Sequence, residues 1–217
     1  MKIGLIGIGR IGKLHGELLT YHIPEVEIKT AADIYLNEVK DWAKQLNIFN
    51  LTTDYTEILN DEEIEAVLIC SPTDSHAQLI TEVANAGKHI FCEKPIDFNV
   101  EKIKQALNSV KAAGVKLQIG FNRRFDHNHK KIRQLVESGK VGDVQIVKIT
   151  SRDPAPPPIE YLKTSGGIFL DMTIHDFDMA RYLSMSEIVE VFAQGAVLID
   201  PAIGQIGDID TAIITLK

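Results

Sequence analysis

Two patterns of apolar and polar residues divide the chain. Up to about residue 120, short apolar runs alternate with segments in which apolar residues recur at helical spacing. The runs are nearly unbroken, as in strands buried on both faces of a sheet. They predict six strands, at Ile3–Ile8, Val26–Ala32, Phe49–Thr52, Ala66–Cys70, His89–Cys92 and Lys116–Ile119. Strand–helix alternation of this kind predicts an α/β domain over residues 1–120, with a doubly wound parallel sheet.

The helical segments between these strands carry apolar stripes. A stripe at helical spacing predicts the face of a helix that packs on the sheet. The two clearest stripes are Ile11, Leu14, Leu18 and Leu19, and then Val100, Ile103, Leu107 and Val110.

After Gly120 the pattern changes to that of an α+β domain over residues 121–217. We predict helices at 128–137 and 172–183, strands at Val144–Thr150, Val189–Ile199 and Thr211–Leu216, and a proline-rich connection at Asp153–Pro158. Four prolines in that connection exclude helix and central strand. The sheet is expected to be open and mixed or antiparallel. Because no turn or cap follows the last apolar strand, we expect this domain to be incomplete at its C-terminus.

Composition and charge narrow the function classes. The 217 residues are 45% apolar with a net charge of −7, which argues against a nucleic-acid partner because that needs a concentrated basic face. Cys70 and Cys92 each end an apolar run, as expected of buried thiols in a reducing compartment. We find no signal peptide and no apolar run long enough to span a membrane. A cytoplasmic protein is expected.

The first strand–helix junction carries Gly7-x-Gly9-x-x-Gly12. At this position the first glycine permits a tight turn, the second lets backbone approach a pyrophosphate, and the third lets helix pack on strand. The backbone N–H groups of Arg10 and Ile11 would face the pyrophosphate at the helix N-terminus. The motif in this context predicts a Rossmann dinucleotide site.

Asp33 lies 21 positions after Gly12, at the end of the second predicted strand. A carboxylate there accepts hydrogen bonds from the ribose 2′-hydroxyl and repels a 2′-phosphate. The next residue is Ile34, not an arginine that could hold that phosphate. We therefore predict NAD in preference to NADP; the alternative interpretation is an aspartate that caps a helix.

Ligands of doubly wound sheets bind beyond the carboxyl ends of the strands. This rule selects Ser71, Thr73 and His76 after the fourth strand and Glu93 and Lys94 after the fifth as candidate cofactor residues. Lys94 can also hydrogen-bond a substrate hydroxyl and stabilise the alkoxide formed as hydride leaves. The alternatives are a solvated lysine before a turn proline and, at position 76, a capping or packing histidine.

A second candidate cluster lies in the stretch from Gly166 to Asp178. A helix starting near Asp171 would place Asp171, His175 and Asp178 on one face, with the imidazole suited to accept a proton near neutral pH. A buried structural histidine is the alternative. A metal site is not expected, because the spacing matches no established zinc pattern.

These residues together resemble the glucose–fructose oxidoreductase/inositol dehydrogenase family over the whole chain. The resemblance is carried by the glycine motif, Glu93-Lys94-Pro95, Gly120–Phe125 and Gly167–Asp176. Two further stretches, Thr150–Pro158 and Gly195–Gly204, resemble the inositol 2-dehydrogenase branch.

The resemblance implies NAD-dependent oxidation of myo-inositol to 2-keto-myo-inositol (scyllo-inosose). It implies His175 as general base, with Asp171 and Lys94 completing the catalytic residues. Arg123 and Asp153 would join these three in binding substrate. A homo-oligomer, tetrameric in full-length relatives, is also implied.

One departure from the family leaves other functions open. Family members continue well past Lys217, so this chain lacks C-terminal strands that relatives contain. Another cyclitol or pyranose oxidoreductase, or a catalytically silent NAD-binding protein, therefore remains an alternative.

Overall fold

The computed structural model describes all residues from Met1 to Lys217, which form two compact units, Met1–Gly120 and Phe121–Lys217. The first unit contains one parallel sheet of six strands in the order β3-β2-β1-β4-β5-β6. The strands are β1 (Lys2–Ile6), β2 (Glu27–Ala32), β3 (Asn50–Thr52), β4 (Ala66–Ile69), β5 (His89–Cys92) and β6 (Leu117–Ile119). The predicted Rossmann fold is confirmed.

Five helices connect these strands: α1 (Arg10–His22), α2 (Leu36–Gln45), α3 (Thr56–Asn60), α4 (Thr73–Asn85) and α5 (Val100–Ala113). They form two apolar layers, one centred on Ile69 and Ile80 and the other on Leu5 and Ala43. Burial on both faces explains why the strands read as continuous apolar runs. The strand order reverses between β1 and β4, and this switch point is where doubly wound sheets bind ligands.

The apolar stripe predicted for α1 is not its buried face. Leu14 and Leu18 are exposed, whereas Gly12 and Gly16 are the residues the helix buries. A Cβ at Gly16 would lie 2.6 Å from the Trp42 ring, so the helix packs through its glycines. Close backbone approach, rather than leucine burial, positions this helix.

The second unit contains a two-stranded antiparallel sheet and several short helices. Its elements are a 3₁₀ turn (Asn122–Phe125), α6 (His127–Glu137), α7 (Ile159–Ser165), a π-helical turn (Ile168–Met172), α8 (Ile174–Ser184), β7 (Val191–Ala196), α9 (Pro201–Gln205) and β8 (Thr211–Leu216). An α+β unit with antiparallel strands is as predicted. No helix in the chain is both long enough and apolar enough to cross a bilayer.

One strand prediction in this unit is wrong, and another is too long at both ends. Residues 144–150 pair with no strand, and Ile146 is 87% exposed. Alternating apolar and polar residues give this segment the pattern of a strand, but a strand forms only when a partner strand accepts its hydrogen bonds. The strand predicted at Val189–Ile199 ends at Ala196. The Asp210 carboxylate accepts the N–H groups of Leu198, Ile199 and Asp200 at 2.8–3.0 Å and so turns the chain out of the sheet.

Candidate active site

The glycine loop lies at the carboxyl end of β1. Gly7 has φ +88°, and a Cβ there would lie 2.5 Å from the backbone nitrogen of Ser71. A Cβ at Gly12 would lie 2.0 Å from the Gly7 carbonyl oxygen. Both positions therefore exclude side chains. A Cβ at Gly9 would meet no atom within 4 Å, so the backbone there faces open space that a ligand can approach.

The N-terminus of α1 meets this open space. The helix begins at Arg10, so the N–H groups of Arg10 and Ile11 lack acceptors within the helix. No acidic residue occupies its first turn, which leaves the positive end of the helix dipole available to an anion. These features fit a dinucleotide pyrophosphate.

Asp33 follows β2 and is held by two backbone groups. Its Oδ2 accepts the Ile8 N–H at 2.6 Å, and its Oδ1 accepts the Tyr35 N–H at 2.8 Å. The first bond ties the carboxylate to the glycine loop, and the second lies just before α2, which starts at Leu36. Asp33 is thus fixed beside the expected pyrophosphate site, where a ribose acceptor is needed.

The residues selected after β4 differ in exposure. Ser71 and Thr73 are partly exposed, and the Ser71 hydroxyl lies 2.6 Å from that of Ser75. His76 is only 1% exposed, and its ring nitrogens contact the carbonyl oxygens of Pro95 (2.8 Å) and Ser71 (2.7 Å). Both ring nitrogens thus face backbone carbonyls, and the buried ring is not exposed to contact a cofactor directly.

Glu93 and Lys94 follow β5. The Glu93 carboxylate accepts a hydrogen bond from His15 Nε2 at 2.7 Å, and the His15 ring packs edge-on against Phe91. Burial opposes ionisation of Glu93, but the His15 hydrogen bond and charge, aided by the Lys94 N–H and charge, hold its pKa below the usual value. Glu93 thus ties α1 to the turn that carries Lys94.

The two cysteines sit beneath this edge of the sheet. Burial, and secondarily the Glu93 charge, raises the pKa of the Cys70 thiol to about 12, and burial also raises the pKa of Cys92. Both are free thiols that stay protonated at neutral pH, so neither is suited to act as a nucleophile.

In the second unit, Asp171 lies in the π-helical turn and His175 is the second residue of α8. The helix begins three residues after Asp171, so the predicted single helical face for Asp171, His175 and Asp178 is wrong. The Tyr161 hydroxyl donates to Asp171 at 2.9 Å. Phe121 packs edge-on against the His175 ring with centroids 6.4 Å apart.

Two neighbouring arginines anchor α8 to the 3₁₀ turn. Arg123 Nη1 donates to Asp176 at 2.5 Å and to the Ser151 hydroxyl at 3.2 Å. Arg124 binds the buried Asp178 carboxylate through two nitrogens at 2.8 and 2.6 Å. Asp178 is therefore a structural partner of Arg124. Because Arg123 uses only Nη1, its other nitrogens can donate to a ligand.

The remaining candidates are placed separately. Asp153 is exposed in the proline-rich connection, which has no regular structure. Lys94 belongs to the first unit, whereas Arg123, Asp171 and His175 belong to the second. Within the second unit, His175 lies in α8, Asp171 lies in the turn before it, and Arg123 lies in the 3₁₀ turn that is bonded to α8 through Asp176.

Family models match almost the whole chain. Residues 1–121 match the oxidoreductase family with an NAD-binding Rossmann fold, and residues 129–217 match the C-terminal domain of the GFO/IDH/MocA proteins. The chain belongs to this family. Residues 1–121 are therefore an NAD-binding Rossmann domain.

Individual relatives of this family align along nearly the full chain. The uncharacterised oxidoreductase YrbE of Bacillus subtilis is 54% identical over 98% of the chain and 62% of its own length. Myo-inositol 2-dehydrogenase of Thermotoga maritima is 46% identical over 100% of the chain and 65% of its own length. The structure of scyllo-inositol dehydrogenase from Lactobacillus casei with NAD(H) and scyllo-inositol superposes with a TM-score of 0.86, at 31% identity, covering 100% of this chain and 66% of the other. The chain spans just under two thirds of the length of these relatives.

Several residues around the site were not expected from the sequence. His15 pairs with Glu93 across 78 positions, and Ser151 meets Arg123 across 28. Tyr161, which donates to Asp171, lies in α7, a helix that the apolar periodicity of the sequence did not predict. The sequence offers one signal for His15: it lies three residues after Gly12, and residues three apart lie on the same face of a helix.

Proposed function

We propose that this chain carries the cofactor-binding and catalytic residues of an NAD-dependent dehydrogenase. Its substrate would be myo-inositol, oxidised at one secondary hydroxyl to 2-keto-myo-inositol (scyllo-inosose). The observation that carries the proposal is the pair of carboxylates flanking His175 along the chain. Asp171 is held by Tyr161, and Asp176 by Arg123 and Ser151. The 46% identity to a named myo-inositol 2-dehydrogenase supports the choice of substrate.

The first unit would hold NAD through backbone and one carboxylate. The glycine loop and the N–H groups of Arg10 and Ile11 would bind the pyrophosphate. Asp33 would accept hydrogen bonds from the ribose hydroxyls. Ser71, Thr73 and Glu93 line the nicotinamide side of this edge. NAD held there would supply the hydride acceptor for the carbon that bears the substrate hydroxyl. The negative charge of Asp33 repels the 2′-phosphate of NADP.

The polar residues bind the polyol and move its proton. His175 accepts the hydroxyl proton, and Asp171 fixes the ring and stabilises its charged form. Lys94 donates a hydrogen bond to the substrate oxygen and stabilises developing alkoxide charge. Arg123 and Asp153 bind further hydroxyls. Each buried polar group left unpaired by a wrong isomer costs about 1–3 kcal/mol, which would discriminate among cyclitols.

NADH formation from a panel of polyols tests this proposal. We expect the highest kcat/KM with myo-inositol, lower values with scyllo-inositol and glucose, and little activity with NADP. NADH binding without turnover on any polyol would replace the proposal with a catalytically silent NAD-binding protein.

Another cyclitol is the second candidate substrate. It is favoured by one observation, that the superposable Lactobacillus casei structure contains scyllo-inositol. A higher kcat/KM for scyllo-inositol than for myo-inositol in the same panel would select it.

A further inference from the structure

His15 joins helix α1 to strand β5 and to Glu93, the residue that follows this strand. Its Nε2 lies 2.7 Å from Glu93 Oε1, and its ring packs edge-on against Phe91 with the centroids 5.2 Å apart. Glu93 is ionised at neutral pH, since its pKa lies below the usual value although burial raises it. An ionised carboxylate only accepts hydrogen bonds, so Nε2 carries the proton. The neutral Nε2–H tautomer is sufficient for this contact.

The sheet fixes the Glu93 side of this contact. Strand β5 pairs with β4 on one side and with β6 on the other. The Glu93 N–H donates to the Ile69 carbonyl oxygen at 3.0 Å and so continues the pairing with β4. A Cβ at Gly120 would lie 2.9 Å from Glu93 Oε2, so the backbone at Gly120 packs closely against the carboxylate. Glu93 is therefore a fixed acceptor to which α1 is attached.

The first two turns of α1 lack an apolar anchor of their own. The residues that the helix buries are Gly12 and Gly16, and Leu14 is 49% exposed. Leu19, which packs on an apolar layer, lies near the end of the helix. Glycines permit close approach, but they supply no side chain that interlocks with a neighbouring element. The hydrogen bond of His15 therefore holds an end of the helix that apolar packing holds only weakly.

We propose that His15 is a positioning residue for the cofactor, because its hydrogen bond to Glu93 holds the N-terminal turn of α1 in place for the pyrophosphate. The N–H groups of that turn belong to Arg10 and Ile11, and His15 lies one helical turn after Ile11. The inference rests on the NAD-binding part of the proposed function. It is independent of the polyol and of the catalytic residues.

Two amide substitutions at position 15 separate the hydrogen bond from the loss of the ring. In His15→Gln, the side-chain NH₂ group lies near the position of Nε2 and can still donate to Glu93. In His15→Asn, the side chain is one methylene shorter and does not reach the carboxylate. Both variants lose the ring contact with Phe91, so the difference between them measures the hydrogen bond.

We expect His15→Asn to raise the Kd for NADH about tenfold, because binding must then also order the end of the helix. His15→Gln should stay within about threefold of the unaltered protein, since it keeps the donor. ADP-ribose contains the pyrophosphate but no nicotinamide, and its Kd should rise by the same factor as that of NADH. Fluorescence titration with NADH and isothermal titration calorimetry with ADP-ribose measure the two affinities.

Glu17 offers a matched control on the same helix. It is exposed and accepts a hydrogen bond from Trp42 Nε1 of α2 at 3.0 Å. Glu17→Asn and Glu17→Gln introduce the same two amides, and their Kd values for NADH should agree within about twofold, because this bond is not made to the sheet. On a Glu93→Ala background, His15→Asn and His15→Gln should bind NADH equally, since the acceptor that distinguishes them is gone.

Equal NADH affinity of the two His15 variants, or an equally large difference between the two Glu17 variants, would overturn the positioning role. A loss of affinity for NADH but not for ADP-ribose would also overturn it, because the effect would then lie at the nicotinamide end. Thermal unfolding without ligand shows whether each variant is folded, and lower stability with unchanged Kd would make His15 a purely structural residue. Failure of the unaltered protein to bind either ligand would instead contradict the cofactor site of the proposed function, and this inference with it.

Discussion

The two units hold their functional residues by different physical means. In the first unit, a parallel sheet with buried side chains on both faces places the glycine loop, Asp33 and Lys94 at the ends of its strands. In the second unit, only Met179, Leu183 and Ile203 among the apolar residues are buried. Helix α8 is anchored instead by arginine–carboxylate pairs, and a tyrosine hydroxyl holds Asp171 in the turn before it.

This difference has energetic consequences. Apolar burial in the first unit is spread over many side chains, so no single polar contact dominates its stability. A buried ion pair is costly to break on one side, because the remaining charge keeps its desolvation penalty without its partner. The second unit should therefore be sensitive to single charge deletions that the first would tolerate.

The largest effect is expected from His175→Ala. Loss of the proposed general base should lower turnover about 10²–10⁴-fold, while NADH affinity, a property of the first unit, should stay within about twofold. Steady-state kinetics and NADH fluorescence titration measure the two quantities. His127→Ala is the control, because that side chain is 89% exposed in the same unit. Full activity of His175→Ala would remove this histidine from the mechanism.

The next effect concerns the ion pair beneath α8. Arg124→Ala leaves the buried Asp178 carboxylate without its partner and should destabilise the second unit by about 2–4 kcal/mol, somewhat less than for a fully buried pair because Arg124 is 39% exposed. Arg181→Ala removes an equally bidentate but exposed pair with Glu187 and should cost about 0–1 kcal/mol.

Hydrogen exchange in α8 measures this loss locally. Trp42, the only tryptophan, lies in the first unit, so its fluorescence reports unfolding of that unit separately. Equal destabilisation by the two arginine variants would contradict the distinction between buried and exposed pairs.

Cofactor choice should depend on the charge of Asp33. Asp33→Ser combined with Ile34→Arg should shift the ratio of NAD to NADP affinity about 10–100-fold toward NADP, since a like-charge repulsion is removed and a cation added. Asp33→Asn is the matched control, because it removes the charge but keeps an acceptor for the Ile8 N–H. Isothermal titration calorimetry with NAD and with NADP measures the two affinities in each variant. Equal affinities in the unaltered protein would contradict the role of Asp33.

The smallest effect concerns Asp210 and its pH dependence. Backbone hydrogen bonds, the one from Leu198 foremost, lower the pKa of Asp210 to about 2 from a usual value of 3.8. A depressed pKa means that the ionised carboxylate stabilises the fold above its usual pKa. Asp210→Asn should therefore be less stable than the unaltered protein at neutral pH. The difference should shrink as the pH falls from about 4 to about 2. Thermal unfolding across that range measures it; a pH-independent difference would show that the charge is not involved.

The first unit could be predicted from the sequence almost strand by strand. Its pattern is local: each strand is an apolar run, each connection a helix, and a glycine motif or an acid marks a strand end. Parallel strands joined by helices place all their carboxyl ends at one edge of the sheet, so the positions of Gly7, Asp33 and Lys94 followed from the order of elements. The strand boundaries differ from the predicted ones by at most two residues, which is the usual uncertainty at the end of an element.

The second unit could be predicted only in class. The alternation at residues 144–150 indicated a strand that has no partner, and α7 and α9 carry too few residues for a helical period to be recognised. Asp171 and His175 were expected on one face of a common helix, but that helix is interrupted after Met172.

The sequence by itself determined the Rossmann fold and the family, and it supplied the candidate catalytic side chains as a prediction. Tertiary structure alone decided that Glu93 binds His15, that Arg124 neutralises Asp178, and that His76 bridges Ser71 and Pro95. The physical reason is range. Periodicity and turn chemistry act between residues a few positions apart, whereas a hydrogen bond or ion pair between distant positions exists only once the backbone has brought its two atoms within about 3 Å.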